Sequence, residues 1–359
     1  MTFENANNED IYESVKMLSP GTPLREGLEN IVRAKTGALI VVGDSKEILD
    51  IVDGGFNINS EFSPAYLYEL AKMDGAIILN YDAKKILYAN TQLVPDSFIA
   101  SKETGIRHRT ADRVAKQTGE LVISISQRRN IITLYKGYSK YVLKDVSEIL
   151  TKANQAIQTL DKYKIVLNQA MDNLSALEME DLVTVFDVTK VLQRTEMVMR
   201  IVFEIEKYIL ELGNEGRLIS MQTEELTSNV EEDGLNIIKD YCVMEEDEDL
   251  ENILQDIRDL SSEDLLELSN IAKILGYKDG INSLDYTVSP KGYRILSKIP
   301  RLPHSVLENV IANFKSFQDI LKATITQLDA VEGIGEIRAR TIKEGLRRFQ
   351  EQSLLDRHI

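Results

Sequence analysis

The sequence predicts an α/β domain with a mixed central sheet, followed by an all-α spine and a small all-α domain of two helix-hairpin-helix units. Three observations predict it. Short apolar runs of strand length alternate with helical stretches over the first part of the chain. No proline occurs between Pro95 and Pro290, and apolar residues there fall at helical spacing. After Pro290 two similar turn-and-helix units follow each other. The boundaries drawn from these changes of character are 1–145, 146–288 and 289–359.

Residues 1–21 are polar and end in Pro20-Gly21, a helix and turn leading into the first domain. Gly37-Ala-Leu-Ile-Val-Val-Gly43 is a continuous apolar run, the kind buried on both faces of a sheet. Ser63-Pro64 offers an N-cap and first-turn pair for a helix with Leu67, Leu70 and Ala71 on one side. Asp74-Gly75 stops that helix, and residues 76–80 return as a strand. Residues 86–90, 121–126, 131–135 and 141–143 complete the sheet. Between them, Thr110 is read as the N-cap of a helix to about Gln117, with Gly119 near its C-terminal cap.

From Asp145 the reading is helical. Leu150, Ala153, Ile157, Leu160, Leu167, Met171 and Leu174 keep a three-four rhythm, interrupted at Lys164. A second long helix is expected from about Met179 to Leu212, stopped by Gly213, and a third capped by Ser262 and ended by Gly276. The acidic run Glu245–Glu251 is read as solvated, since it lacks the alternating ligands and glycine of a calcium loop. Residues 277–299, with Gly280, Pro290 and Gly292, are read as an irregular linker. Then residues 298–303 precede a helix carrying Val306, Val310 and Ile311, and residues 331–337 precede one carrying Ala339, Ile342 and Leu346.

Charge narrows the function. The chain of 359 residues carries a formal net charge of -16, so it is not a basic nucleic-acid coat. From Lys291 onward there are 12 Lys/Arg against 8 Asp/Glu, which is +4 and leaves -20 for residues 1–290. The sign change makes the last domain the place to look for nucleic acid. One cysteine, Cys242, excludes an intramolecular disulfide, and three scattered histidines argue against a histidine-rich metal site. No apolar run reaches membrane-span length, and the first residues lack the basic and apolar regions of a signal peptide. A soluble, cytoplasmic, nucleoid-associated protein with no membrane partner is expected.

Two constellations carry chemistry. Arg107, His108 and Arg109 stand at a helix start, where unpaired N–H groups and a positive dipole end favour an anion. The same residues also fit an ordinary exposed helix start. Asp74-Gly75-Ala76 offers a carboxylate for a divalent cation beside a glycine that admits a close ligand, but Asp53-Gly54-Gly55 begins the same way, so Asp-Gly alone decides nothing. Together the two segments supply acid-held metal and guanidinium-held phosphate, the parts nucleotidyl transfer needs most. Ser126, Arg128 and Arg129 follow a buried strand and can meet distal phosphates, or form a hairpin turn with exposed arginines. In the last domain, Gly333-Ile334-Gly335 followed by Arg338, Arg340 and Lys343 suits a hairpin whose backbone N–H groups take a DNA phosphate. The first unit has Arg301-Leu302-Pro303 where the two glycines would stand.

With those residues in view, the chain resembles the bacterial DNA-integrity-scanning diadenylate cyclases over essentially its whole length. Asp74-Gly-Ala76 and Arg107-His-Arg109 match the two signature motifs of the cyclase domain, and the hairpins are similar to those of Holliday-junction-binding proteins. The resemblance implies condensation of two ATP into cyclic di-AMP with release of two pyrophosphates, in a homo-octamer whose cyclase domains meet face to face. It implies Asp74 as ligand of Mg2+ or Mn2+, with Arg107, His108 and Arg109 completing the catalytic set. Gly75, Ala76, Leu93, Thr110, Ser126, Arg128 and Arg129 become nucleotide contacts. Arg301, Gly333, Ile334, Gly335, Arg338, Arg340 and Lys343 become contacts to double-stranded and branched DNA, which suppresses the cyclase. One departure is Gln127, where other branches carry glutamate. The alternative is a non-catalytic, nucleotide-sensing scaffold that binds DNA.

Overall fold

The structure is a computed structural model that describes residues 11, 13–243, 250–277 and 283–356, with side chains to 351. The chain divides into two compact units, residues 1–155 with 205–221, and residues 156–204 with 222–359.

The first unit is built on a mixed sheet. After a helical stretch at 13–17 and the turn at Pro20-Gly21, α1 (Pro23–Arg33) starts at Thr22, whose hydroxyl accepts from the Arg25 N–H. Then come β1 (Ala38–Val42), the short α2 (Lys46–Leu49), β2 (Val52–Asp53), β3 (Phe56–Glu61), α3 (Pro64–Leu70), β4 (Ala76–Leu79) and β5 (Lys85–Leu93). Next are α4 (Ile106–Thr118), β6 (Leu121–Ser126), β7 (Ile131–Lys136) and β8 (Ser139–Val142). The strand order is β2-β5-β4-β1-β6-β7-β8, with β3 also on β5, and the β1–β4 pair is the parallel one.

Both faces are covered, which is why β1 is apolar throughout. Ala38, Ile40 and Val42 pack with α1 and α3, while Leu39 and Val41 pack with Ala111, Val114 and Ala115 of α4. The expected strands all form. The polar edge strands β2 and β3 are additions, and Asp53-Gly54-Gly55 is a step along that edge. Ser63 caps α3 as expected, accepting from the Tyr66 N–H at 3.1 Å.

Two helix boundaries in this unit are corrected: α3 ends at Leu70, ahead of Asp74-Gly75, and α4 starts early. Thr110 is not a cap: α4 starts a turn earlier, at Gly105, because Arg107 and Arg109 are themselves good helix formers. Gly119 closes the helix in the left-handed conformation, as read.

The helices that follow are α5 (Val146–Glu180), α6 (Val185–Leu212), α7 (Arg217–Thr227), α8 (Val230–Tyr241), α9 (Leu250–Asp259) and α10 (Leu268–Ile274). α5 runs through Lys164 without a break; the lysine is half-buried, and burial lowers its pKa against the opposing pull of Asp233. The second long helix begins at Val185 rather than Met179. Asp181 turns left-handed, and the Asp187 carboxylate takes the Thr184 N–H and hydroxyl, restarting the helix. The next segment is not one helix capped by Ser262 but a single tight turn at Asp264–Leu266, where the Ser261 hydroxyl accepts from the Asp264 N–H at 3.1 Å, followed by α10, after which Gly276 takes a positive φ. Residues 245–249 of the acidic run and Gly280 lie outside the described residues.

The expected linker is ordered at its end. The buried Asp240 carboxylate accepts backbone N–H groups of Gly292, Tyr293 and Arg294 at 2.6, 2.6 and 3.0 Å, fixing the start of α11 (Tyr293–Ser297). The Arg294 guanidinium pairs with Glu178, and both are buried. Next come α12 (His304–Asn313), α13 (Phe317–Lys322), α14 (Ile325–Asp329) and α15 (Glu336–Asp356). The two units in this stretch are congruent at an offset of 32 residues: Tyr293–Ser297 with Ile325–Asp329, and helix starts at 304 and 336. Leu296 with Leu328, Ile299 with Val331, Leu307 with Ala339 and Val310 with Ile342 fill one shared core.

Candidate active site

Where β1, β4 and β6 meet, three chain ends gather. Gly37 precedes β1, Asp74-Gly75 precedes β4, and Ser126 closes the antiparallel β6, whose Ile125 pairs with Ala38. The site therefore lies at the amino ends of the parallel pair, not the carboxyl ends where sheet ligands commonly gather. The antiparallel neighbour supplies its own carboxyl end instead.

A cavity of about 620 Å³ opens here, lined by Thr104–His108, Ser126–Arg129, Thr133 and Lys140, among others. Gly105 is in extended conformation with no side-chain cap, so the first N–H groups of α4 face the cavity without a side-chain acceptor. Arg107 is half-exposed and its Nη2 lies 3.9 Å from an Asp74 oxygen; the Asp74 side chain is fully exposed. A β-carbon on Gly37 would overlap the Arg107 guanidinium and sit 3.0 Å from the Ile125 carbonyl oxygen, so the missing side chain is the slot in which Arg107 lies. Arg109 turns back on the helix start, donating to the carbonyls of Glu103 and Thr104 at 3.2 and 3.4 Å. The Ser126 hydroxyl accepts from the Arg129 N–H at 3.4 Å across the turn that sets Arg128 and Arg129 at the rim.

His108 is half-buried, with Nδ1 3.0 Å from the Tyr135 hydroxyl. Burial, first, holds its pKa below the ordinary value, and Lys140 and Arg129 add repulsion that Glu103 partly offsets.

The structure brings together Arg107, His108, Ser126, Arg128 and Arg129, with Asp74 beside Arg107. Thr110 stands one turn into α4, Ala76 is a buried strand residue, and Leu93 ends β5 among the residues packed on α4. Gly75 takes a positive φ of 91°, with the Thr91 carbonyl 2.7 Å from where its β-carbon would be. Glu103, Lys140, Tyr135 and Gly37 were not read from the sequence. Glu103 lies four residues before Arg107; the others come from distant strands or their ends and have no local signature.

Among the described residues no three His, Cys, Asp or Glu side chains converge as a metal cage. A lone exposed carboxylate instead suits Mg2+ or Mn2+, which commonly take one or two protein carboxylates and complete their shell with phosphate oxygens and water.

In the C-terminal stretch Gly333 has φ 81°, Ile334 is buried, and a β-carbon on Gly335 would meet open space. Arg301, at the position equivalent to Gly333, takes φ 63° without being glycine. Arg338 donates to the Gly333 carbonyl at 2.6 Å and Arg340 pairs with Glu336 at 2.6 Å. Lys343 turns away, onto the Leu321 carbonyl at 2.8 Å. No helix among the described residues is long and apolar enough to cross a membrane.

Residues 25–139 match the family described as DisA bacterial checkpoint controller nucleotide-binding, and residues 143–284 the DisA bacterial checkpoint controller linker region. The chain is 61% identical over 347 residues to the DNA integrity scanning protein DisA of Clostridium kluyveri, covering 97% of each. It is 60% identical over 357 residues to that of Clostridium perfringens, covering 99% of this chain and 100% of the other. Among solved structures, a double mutant of DacA from Staphylococcus aureus shares 22% identity at a TM-score of 0.29, over 39% of this chain and 90% of that one.

Proposed function

The chain belongs to the family of DNA integrity scanning proteins, and we propose from that membership that it condenses two ATP into cyclic di-AMP. Each ribose 3′-oxygen attacks the other nucleotide's α-phosphorus, a proton leaves the hydroxyl, and pyrophosphate departs. The observation that carries this reading is the one cavity in which the uncapped start of α4, Arg107 and the Ser126–Arg129 turn converge. N–H groups aimed at one spot, with guanidiniums around it, attract phosphate and stabilise charge that grows on the transferring group. Asp74 beside Arg107 would hold Mg2+ or Mn2+ together with phosphate oxygens, and the bound ion would make the attacking hydroxyl more acidic.

One domain carries one such cavity, so two must face each other for both bonds to form. This agrees with the face-to-face homo-octamer of the family reading. In this assignment residues 1–145 are the cyclase domain, 146–288 the spine and 289–359 the DNA-binding domain. The paired hairpins grip the backbone of double-stranded or branched DNA, and bound branched DNA suppresses the cyclase. Gly333, Gly335 and the helix start at Glu336 support that role, with Arg301, Arg338 and Arg340 exposed around them. The cytoplasm and nucleoid are the matching location.

Incubation with ATP and Mg2+ or Mn2+, followed by chromatography, tests the enzyme reading. Cyclic di-AMP is expected from the native chain and not from Asp74→Asn. Absence of product with every divalent metal, while ATP still binds, would leave a nucleotide-sensing DNA scaffold.

A further inference from the structure

In the turn before α15 the carbonyls of Val331, Glu332, Gly333 and Gly335 each have a donor. The Ile334 N–H bonds the Val331 carbonyl at 3.0 Å, and the Ala339 N–H bonds the Gly335 carbonyl at 3.0 Å. Side chains take the other two. Arg338 donates to the Gly333 carbonyl, and Asn309 of α12 reaches over from the first hairpin unit to donate to the Glu332 carbonyl at 3.0 Å. Val306 of the same helix lies 3.4 Å from where a Gly333 β-carbon would be, so the turn rests on α12. The Gly333 and Gly335 N–H groups have no backbone acceptor among the described residues.

One of these bonds decides which way an open N–H points. The Val331–Ile334 bond, with Gly333 at φ 81° in the third position, makes residues 331–334 a type II turn. Type I and type II turns differ in the direction of the central peptide, here Glu332–Gly333. That peptide is planar and trans, so its carbonyl and its N–H point opposite ways. With the Glu332 carbonyl held by Asn309, the Gly333 N–H is turned away from α12. Without that bond the peptide is free to turn over, because glycine takes either sign of φ.

The first unit holds its turn by other means. There the Leu302 N–H lies 3.4 Å from the Ile299 carbonyl, and Arg301 takes φ 63° in the third position. The second position is Pro300, whose ring fixes φ where a type II turn needs it. Glu332 stands at the matching position of the second unit and fixes nothing. Thr341, which matches Asn309, bonds the Ile337 carbonyl of its own helix at 3.0 Å and makes no return bond to the first turn.

We infer that Asn309 is a positioning residue for DNA: its hydrogen bond to the Glu332 carbonyl holds the 331–334 turn as type II and aims the Gly333 N–H at a backbone phosphate. The inference rests on the DNA reading of the hairpins.

Fluorescence anisotropy of a labelled DNA duplex titrated with the full chain tests it. Alanine favours a helix, so Asn309→Ala keeps α12, and its melting temperature is expected near the native value. Its duplex affinity is expected to fall about tenfold, the worth of one hydrogen bond to a charged group. The lost donor is a neutral N–H, so the dependence of affinity on salt keeps its native slope, whereas Arg340→Ala lowers that slope by about one. Proline supplies the turn that Asn309 no longer holds. In the Asn309→Ala chain, Glu332→Pro is expected to bind about fivefold more tightly than Glu332→Gln, which removes the same charge without the ring. With Asn309 in place the two substitutions bind duplex alike. Native affinity in Asn309→Ala, a lowered salt slope, or equal binding of the proline and glutamine forms in the alanine background overturns the positioning role. A native chain that binds no duplex overturns the DNA reading itself, a failure seen before any substitution is made.

Discussion

At the scale of single residues, two positions are defined by what their backbone or missing side chain permits. Gly37→Ala would push Arg107 out of its slot. ATP binding is expected to fall about 10- to 100-fold, the cost of misplacing one charged hydrogen-bonding group, with the melting temperature little changed; a calorimetric titration checks both halves. Arg301 holds a left-handed backbone that glycine adopts freely. Arg301→Gly is expected to stabilise the chain by about 1 kcal/mol and to weaken duplex binding. A gain in both, seen by thermal melts and anisotropy, would count against Arg301 as a DNA contact. Much of the site was legible at this scale, because Arg107-His108-Arg109 and Ser126–Arg129 are each contiguous in sequence. Gly37, Tyr135 and Lys140 were not, since what they do depends on strands paired across long stretches of chain.

At the scale of elements, legibility followed burial. β1 and β4 are wholly apolar, and β6 apolar but for Ser124 and Ser126, because they are covered on both sides, and each was visible as a run. β2 and β3 lie on an edge, where polar residues are tolerated, and left no pattern to read. Helix starts were misplaced where an unexpected residue took the first N–H groups, as with Asp187 at Thr184 and Ser261 at Asp264. The Asp240 cap of α11 could not be seen at all, because its donors lie some fifty residues further on. Burial and the nearby Glu178 push the Asp240 carboxyl up to about 7, against the pull of its three N–H donors. The unfolded chain releases that proton near 3.8 and the folded chain keeps it to about 7. Its contribution to stability is therefore complete below about pH 4 and is lost as pH rises through 7. The difference in melting temperature between native protein and Asp240→Asn, followed from pH 4 to 8, is expected to shift over that window. A difference that stays constant would show that this carboxyl does not titrate there.

At the scale of the whole molecule, the proposed reaction requires two ATP sites to meet for each turnover. Dilution below the assembly range is expected to abolish cyclic di-AMP formation while leaving ATP binding within about twofold. Sedimentation alongside product chromatography checks it, and full activity in a verified monomer would sink the two-site scheme. The 32-residue offset between the two hairpin units bears on the chain as something that is inherited and edited. Matching points of the two units share a backbone path, so the segment behaves as a cassette. Residues 299–303 can be exchanged for 331–335 with both splice points already in register. A recombination slip of one period would likewise add or delete a whole hairpin without disturbing the phase of the helices on either side.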